Sequence, residues 1–285
     1  MTDMNVGTLY VVATPIGNLD DLTPRAARVL AEVDLIAAED TRHSARLLAH
    51  LGIKTPMVSL HEHNESRRIE ELDARLAAGE QVALISDAGT PLISDPGFVL
   101  VRELRERRRR IVPLPGACAL TVALSAAGLP TDRFMFCGFL PAKQGARRQQ
   151  LEQWKEREET LVFYESPHRI HATLEALQDV FSARPVVLAR ELTKTFETFL
   201  QGSAEALLAT LADDPNQARG EFVVMVQGSP AVSTEEGADI SADTLLQALL
   251  DEGVGVKQGA AVAARLLGGR KQVWYARLQA IKGEH

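Results

Sequence analysis

The first 128 residues alternate between short apolar runs and stretches whose apolar residues recur at helical spacing. The runs are continuous, which is typical of strands buried on both faces of a sheet. They occupy residues 8–13, 34–38, 57–60, 81–85 and 111–114. Strands that alternate with helices in this way predict an α/β fold built on a mostly parallel, doubly wound sheet.

The pattern restarts around Gly128–Asp132, and apolar runs then occur at 134–139, 160–164, 185–190, 197–200 and 221–226. Hairpin and crossover connections are mixed here, so we predict a mixed second sheet. After Gly228-Ser229-Pro230, a linker rich in Ser, Thr, Glu and Gly extends to about Asp239 and precedes three short helices. We therefore predict an N-terminal α/β domain at 1–128, a second α/β domain at 129–230 and a C-terminal helical module at 240–285. The module is compatible with a helix-turn-helix-like unit and with a plain helical cap.

Composition narrows the class of protein. Of 285 residues, 46% are hydrophobic and 24% charged, as in a globular protein with a sizeable core. We find no signal peptide and no apolar run near the roughly 18 residues of a membrane helix, so we expect a cytoplasmic protein without a membrane partner. Cys118 and Cys137 form no disulfide pattern. A net charge of −7 disfavours indiscriminate binding to polyanions but leaves room for a local basic patch on a specific RNA partner.

The loop Ser86–Gly97 is the most unusual segment of the chain. It joins the strand at 81–85 to a helix that starts near Phe98, and it contains two glycines, two prolines and two Ser-Asp pairs. Strand-to-helix loops usually need only about 2–6 residues. Since such a loop lies at the carboxyl edge of a parallel sheet, where open α/β folds bind ligands, we expect it to form the floor of a small-molecule site. A long surface turn is the alternative.

Three further turn-rich loops follow first-domain strands: Thr14–Asn18, Glu39–Arg42 and Pro115–Cys118. Because parallel strands place their carboxyl ends at one edge, we expect these loops to converge with the central loop. Asp40 and Arg42 bring a carboxylate and a guanidinium to this edge. A helix N-cap and an ion pair between them would explain the same residues without a function.

Two polar clusters directly follow apolar strands of the second domain, at 164–169 and 190–194. Ser166-Pro167 is explained as the cap and first residue of a helix, whereas Glu165 and the charged residues of 190–194 are not. Acidic and basic groups that face a cleft can transfer a proton. Structural ion pairs across the strands are the alternative.

The basic run Arg107–Arg110 predicts a solvated helix end. Arg102, Arg105 and Arg109 also have the spacing of one helical face, so contact with a phosphate backbone is the alternative.

Several familiar sites are missing from the sequence. There is no Gly-x-Gly-x-x-Gly and no Walker lysine, which disfavours a dehydrogenase or a nucleotide triphosphatase. His61 and His63 stand two residues apart without a third ligand nearby, so we predict no metal site.

Five segments carry a family resemblance: Thr14–Leu19, Glu39–Arg42, Ser86–Gly97, Tyr164–Arg169 and Arg190–Lys194. Together they resemble the tetrapyrrole methylase superfamily, and within it the branch that methylates small-subunit ribosomal RNA. The resemblance covers about residues 7–228, and that branch also tends to carry a C-terminal helical extension.

The resemblance implies an S-adenosylmethionine-dependent enzyme that methylates a cytidine 2′-hydroxyl in small-subunit (16S) ribosomal RNA, as free RNA or within the 30S subunit. It also implies a homodimer whose protomers bind the cofactor in the cleft between two domains. By position, it assigns cofactor binding to Pro15, Asp87, Ala88, Gly89, Ser94, Pro115, Gly116, Cys118, Ala119, Tyr164, Ala189 and Gly220.

For the reaction itself, we predict that Glu191 accepts the proton of the hydroxyl, with Asp40 as the alternative base. Lys194 or Arg42 would be the cation that stabilises the developing alkoxide. Two other functions stay open, a tetrapyrrole (precorrin-type) methyltransferase and a non-catalytic RNA-binding assembly factor. The helical module and the arginine clusters favour RNA over a tetrapyrrole.

Overall fold

The structure, a computed structural model, describes residues 7–61, 64–230 and 242–283. The chain forms two compact units, Met1–Ser229 and Pro230–His285. Outside the described residues lie the N-terminal residues 1–6, His63, which was considered with His61 as a metal ligand, and residues 231–239 of the predicted linker.

The first sheet of the larger unit is parallel throughout. Its strands are β1 (Thr8–Val12), β2 (Leu35–Ala38), β3 (Met57–Ser59), β4 (Gln81–Ile85) and β5 (Arg110–Leu114). The helices α1 (Pro24–Glu32), α2 (Thr41–His50), α3 (Glu65–Ala77), α4 (Phe98–Glu106) and α5 (Ala119–Ala126) follow them in turn. The order β3-β2-β4-β1-β5, with every pair parallel, confirms the predicted sheet.

Both faces of this sheet are buried, which explains the continuous apolar runs. Val82 and Leu84 pack in a core with α3 and α4, whereas Ala83 and Ile85 face a second core with α1 and α2. The carboxyl ends of all five strands therefore lie at one edge, as predicted.

The second sheet is mixed, as predicted. Its strands are β6 (Phe134–Phe139), β7 (Thr160–Glu165), β8 (Val186–Arg190), β9 (Thr198–Gly202) and β10 (Phe222–Val226), with helices α6 (Gln144–Glu152), α7 (Ile170–Phe181) and α8 (Ala204–Asp213). In the order β6-β7-β10-β8-β9, only β6 and β7 pair in parallel. The boundary predicted at 128/129 falls between the two sheets, inside one compact unit. Helix α5 packs against the second sheet and so connects the two halves of the core.

Helix starts follow local capping chemistry in two of the predicted places. Thr23 accepts a hydrogen bond from the amide of Ala26 at the start of α1, with Pro24 as its first residue. Asp40 accepts one from the amide of Arg42 at 2.8 Å and caps α2. The predicted start of α7 at Ser166-Pro167 is wrong, because residues 166–169 form a turn closed by the amide of Arg169 on the carbonyl of Ser166.

The interpretation of the arginine run as one helical face is also wrong. Helix α4 ends at Glu106, so Arg109 lies beyond it. Arg107 binds Glu70 and lies 3.1 Å from Asp73, and Arg109 lies 2.6 Å from the same Asp73. The run therefore ties the end of α4 to α3 through ion pairs.

The smaller unit contains α9 (Ala242–Asp251), α10 (Val256–Leu266) and α11 (Lys271–Gly283), the three helices that the sequence predicts. Leu246, Ala260, Ala263 and Leu278 form its fully buried core. A Cβ on Gly259 would lie 3.0 Å from Leu278, so the small residue lets α10 and α11 pack closely. No helix among the described residues combines the length and the apolar character needed to cross a membrane.

Candidate active site

A cavity of about 510 Å³ lies at the carboxyl edge of the first sheet and opens between the two sheets. Its walls are the loop after β4, the first turn of α5, the ends of β6 and β7, the turn after β8 and the start of β10. This volume lies within the range of small-molecule sites, about 300–1,000 Å³. The structure brings nine predicted site residues together here: Asp87, Ala88, Gly89, Ser94, Cys118, Ala119, Tyr164, Ala189 and Lys194.

Other predicted cofactor residues lie behind the wall of this cavity. Pro15 lines a smaller cavity of about 150 Å³ that shares Asp87 with the first. Pro115 is absent from both linings, and a Cβ on Gly116 would lie 2.7 Å from the Cβ of Ala13. A Cβ on Gly220 would lie 2.4 Å from the side chain of Glu191. The last two glycines therefore allow close packing next to the site.

The floor of the cavity is fixed to the loop after β1. Thr14 and Gly89 exchange two backbone hydrogen bonds, of 2.9 and 3.0 Å, and the Thr14 hydroxyl donates to the carbonyl of Ser86 at 3.1 Å. Gly89 has a φ of +85°, which favours glycine. The central loop is thus a rigid part of the site and not a loose surface turn.

Three carboxylates, Glu39, Asp87 and Asp95, line one side of the cavity. Burial, together with the charges of Glu39 and Asp87, raises the pKa of Asp95 to about 6, although a hydrogen bond from Ser86 opposes the shift. Burial also raises the pKa of Glu39, whose Oε2 accepts a hydrogen bond from the amide of Asp87 at 3.2 Å. None of the three forms an ion pair with another described residue. A cationic ligand would relieve this uncompensated negative charge.

Lys194 is the basic residue of the cavity lining. Its Nζ donates to Glu191 Oε1 and to Glu221 Oε2, each at 2.9 Å. Burial alone would lower the pKa of Lys194, but the bonds to Glu221 and Glu191 outweigh it and raise that pKa. The lysine stem packs on Gly17, where a Cβ would lie 2.4 Å from Lys194 Cγ.

Glu191, the predicted base, does not line the cavity itself. Its Oε1 also accepts the amide of Glu221 at 2.9 Å, and its backbone has a φ of +51°. Burial raises its pKa, but the hydrogen bonds from the Glu221 amide and Lys194 prevail and lower it. Such a carboxylate is a weak base that fixes the position of Lys194.

Asp40 and Arg42 pair with each other outside the cavity wall. Arg42 Nη2 lies 2.7 Å from Asp40 Oδ2, and the arginine side chain is 89% exposed. The hydrogen bond from Arg42 holds the pKa of Asp40 well below its usual range. The backbone amide of Asp40 nevertheless donates to Asp87 Oδ1 at 3.1 Å, so Asp40 supports a carboxylate of the cavity lining.

Comparison with known proteins then settles the family. Residues 8–208 match the model of the tetrapyrrole (corrin/porphyrin) methylases. The chain belongs to the tetrapyrrole methylase family. Residues 235–282 match the model of the RsmI C-terminal HTH domain, which favours the helix-turn-helix interpretation of the last three helices over a plain cap.

Relatives of this methylase are similar over nearly their whole length. Ribosomal RNA small subunit methyltransferase I of Pseudomonas aeruginosa is 55% identical over 273 residues, which cover 95% of this chain and 96% of the relative. The protein of the same name from Escherichia coli O157:H7 is 50% identical over 275 residues, with coverages of 96% and 95%.

Solved structures show the same methylase fold at low identity. Diphthine synthase superposes with a TM-score of 0.59 at 15% identity, covering 78% of this chain and 90% of the other. Uroporphyrin-III C-methyltransferase from Thermus thermophilus, in complex with S-adenosylhomocysteine, gives 0.52 at 19% identity, with coverages of 78% and 97%. These similarities confirm the predicted α/β fold of the tetrapyrrole methylase type.

In this methylase, several site residues escaped the sequence-based prediction. Glu39 and Asp95 line the cavity, but only the fold shows that they are half-buried and close to Asp87. Each belongs to a turn-rich loop that the sequence analysis assigned to the site. The sequence therefore indicated the loop but not the side chain. Glu221 and Phe139 carried no signal of function, since both stand at the ends of ordinary apolar strands.

Proposed function

We propose that this chain transfers a methyl group from S-adenosylmethionine to small-subunit ribosomal RNA, at the 2′-hydroxyl of a cytidine. The names of relatives at 50–55% identity over almost the full length support this proposal. The observation that carries it is the cavity, whose lining contains uncompensated carboxylates and a charged lysine.

The cavity fits the methyl donor. S-adenosylmethionine bears a sulfonium and an ammonium group, and Glu39, Asp87 and Asp95 offer three carboxylates without a described ion-pair partner. The backbone of Asp87–Gly89, held by Thr14, offers fixed polar groups beside them. The volume of about 510 Å³ accommodates a ligand of this size together with part of a nucleotide.

The donor supplies a methyl group already activated on a sulfonium, so the protein has to align the ribose oxygen and assist loss of its proton. Among described residues, Lys194 Nζ donates to two acceptors, and an ammonium carries three donors. We assign the third N–H to the ribose oxygen, where it lowers the pKa of the hydroxyl. Glu191 acts through Lys194 as a positioning residue, and we propose that its carboxylate, 2.9 Å from Lys194 Nζ, accepts the proton. A weak base suffices because the oxygen becomes acidic as its bond to carbon forms.

The test uses 30S subunits from a strain that lacks the native enzyme and S-adenosylmethionine with an isotopically labelled methyl group. We expect label in 16S RNA as 2′-O-methylcytidine, located by nuclease digestion and mass spectrometry. Lys194→Ala should lower kcat by about 10²–10⁴-fold, whereas Lys54→Ala, which removes an exposed lysine far from the cavity lining, should not. Label on a tetrapyrrole substrate and none on RNA would refute the proposal.

The role of Glu191 is tested by a separate variant. Glu191→Gln keeps the size and one acceptor oxygen but removes the charge, so we expect kcat to fall while the KM for S-adenosylmethionine stays within about twofold. If the pH profile of kcat keeps its acidic limb in this variant, Glu191 does not accept the proton.

We further propose that the protein works as a homodimer in the cytoplasm, where ribosomal subunits are assembled. The family resemblance supports the dimer, and light scattering at micromolar protein concentration tests it.

A further inference from the structure

Strand β6 contains a bulge just before its end. In the parallel pair of β6 and β7, Phe136 is the partner of Val162, and the next pair is Phe139 with Tyr164. Between these pairs β6 advances by three residues and β7 by two. Gly138 takes up the extra residue with a φ of +62°, a conformation that glycine adopts without strain.

The bulge decides which way Phe139 faces. Side chains alternate between the faces of a strand, and Met135 and Cys137 pack into the core on one face of the sheet. A regular strand would point residue 139 to that same face. Because of the bulge, Phe139 instead joins Phe136 on the opposite face and lines the cavity, with its ring 5.8 Å from that of Tyr164.

The ring of Phe139 is left largely uncovered at the mouth of the cavity. The residue is 55% exposed, although burying a phenylalanine would contribute about 1.5–3 kcal/mol. Tyr164 supports it from below in an edge-on arrangement, with an angle of 68° between the two rings. Bulges next to active sites can re-aim a side chain, and here the re-aimed ring lines the cavity, where it can contact a ligand.

Two basic residues belong to segments next to Phe139. Arg169 donates to the carbonyl of Leu140, the residue after Phe139. Lys143, the residue before α6, is exposed. Arg169 Nε also lies 3.3 Å from Glu165 Oε1, so of these two residues it is Lys143 that is left to meet a phosphate. An exposed aromatic ring with an ammonium on the adjoining segment suits a nucleotide, whose base stacks on the ring while a phosphate meets the cation.

We propose that Phe139 is the platform on which the base of the target nucleotide stacks once it has left its neighbours in the RNA. This inference rests on the proposed function and adds how the substrate is recognised. Phe139 and Lys194 line the same cavity, so a base stacked on the ring would bring its ribose to the cavity that holds the lysine. The stacked base belongs to an unpaired nucleotide that has left the helix, because the faces of a base inside a helix are covered by its stacked neighbours.

The experiment compares Phe139→Ala with Phe134→Ala. Phe134 stands on the same strand and is 44% exposed, but it does not line the cavity. We expect Phe139→Ala to lower kcat/KM for 30S subunits by about 5- to 150-fold, the effect of losing one base–aromatic stack. The affinity for S-adenosylmethionine, measured by calorimetry, should stay within about twofold of wild type, and Phe134→Ala should match wild type in both. Phe139→Trp should restore most of the activity because stacking requires only an aromatic face.

Three results would overturn the inference. The first is equal activity of the Phe139→Ala and Phe134→Ala variants in a preparation whose wild type methylates 16S RNA. The second is a loss of S-adenosylmethionine affinity that accounts for the whole loss of activity. The third is dissociation of an oligomer, which would make Phe139 a contact between chains. If the wild type itself puts no methyl group on RNA, the proposed function fails instead, so the two failures are distinguishable.

Discussion

Gly220 and Gly128 both have positive φ values, of +89° and +67°, but differ in what a side chain would meet. A Cβ at 220 would lie within 2.5 Å of the carboxyl group of Glu191, whereas at 128 nothing lies within 4 Å. Alanine at either position is expected to lower the free energy of unfolding by about 1–2 kcal/mol from backbone strain alone. Only Gly220→Ala should also displace Glu191 and with it Lys194, so only this variant should lose kcat. Thermal melts and methylation rates measured on both variants test the prediction, and an unchanged kcat in Gly220→Ala would contradict it.

Asp95 should make both stability and donor binding depend on pH, in opposite senses. Its pKa rises from 3.8 to about 6 on folding, so above pH 6 the folded protein must keep an unfavourable, half-buried charge. Asp95→Asn should therefore raise Tm at pH 7.5, and the gain should disappear as the pH falls toward 4. The exposed Asp21→Asn serves as the control.

Binding of S-adenosylmethionine should favour the ionised form of Asp95, because the donor is cationic. Wild-type affinity should fall as the pH drops through 6, while Asp95→Asn should bind more weakly at pH 7.5 and show a flatter profile. Calorimetry at several pH values checks this. Parallel profiles for the two proteins would show that Asp95 does not face the donor.

The sequence does not show how deeply the charged residues of the cavity are buried. Asp87 was assigned by position from the family resemblance, and Lys194 was predicted because it stands in a highly charged stretch after a strand. Asp95 stands in the same loop as Asp87, but its distinct chemistry arises from burial beside Glu39, a residue that is distant in sequence. Such contacts between distant segments become visible only when the sheet has been assembled.

Periodicity predicted the strands and helices well and their ends less well. The apolar runs that form β4 and β10 are continuous and flanked by turn residues, so the sequence predicted both strands. The start of α7 was misplaced because Ser166-Pro167 has the composition of a helix start but forms a separate turn. The bulge in β6 had one sequence signal, Gly138 inside an apolar run, and its consequence for Phe139 depends on the pairing with β7.

The attachment of α4 to α3 gives a prediction about the arginine run. Asp73 accepts hydrogen bonds from both Arg107 and Arg109, and its side chain is only 17% exposed. Asp73→Ala leaves two like charges facing each other and should lower the free energy of unfolding by about 1–3 kcal/mol, less at high salt. In the unaltered chain Arg107 is engaged by Glu70 and Asp73, so Arg107→Ala should not change the affinity for 30S subunits. A matched loss of RNA affinity in Arg107→Ala, with no loss of stability, would restore the phosphate-contact interpretation.

The two compact units of the chain suit two different tasks, binding of the methyl donor and contact with RNA. Every residue that lines the main cavity belongs to Met1–Ser229. The described part of the smaller unit, 242–283, carries six Lys and Arg against three Asp and Glu, although the whole chain has a net charge of −7. The excess belongs to the three helices alone, because Glu235, Glu236 and Asp239 bring the net charge of the whole HTH match at 235–282 to zero. Contact with an RNA backbone would therefore use the basic residues of the helices.

A chain that ends at Ser229 should therefore still bind the methyl donor but bind the RNA substrate more weakly. We expect its affinity for S-adenosylmethionine to match that of the full chain within about twofold, because no lining residue is removed. Affinity for 30S subunits should fall, and its dependence on salt should become less steep because fewer phosphate contacts are made. Charge reversal of the exposed Arg270 and Lys271 in the full chain should reproduce part of this loss without altering the melting of the larger unit. If the shortened chain methylates 30S subunits with an unchanged KM, the smaller unit does not bind this substrate, and recognition of the RNA must lie entirely around the cavity.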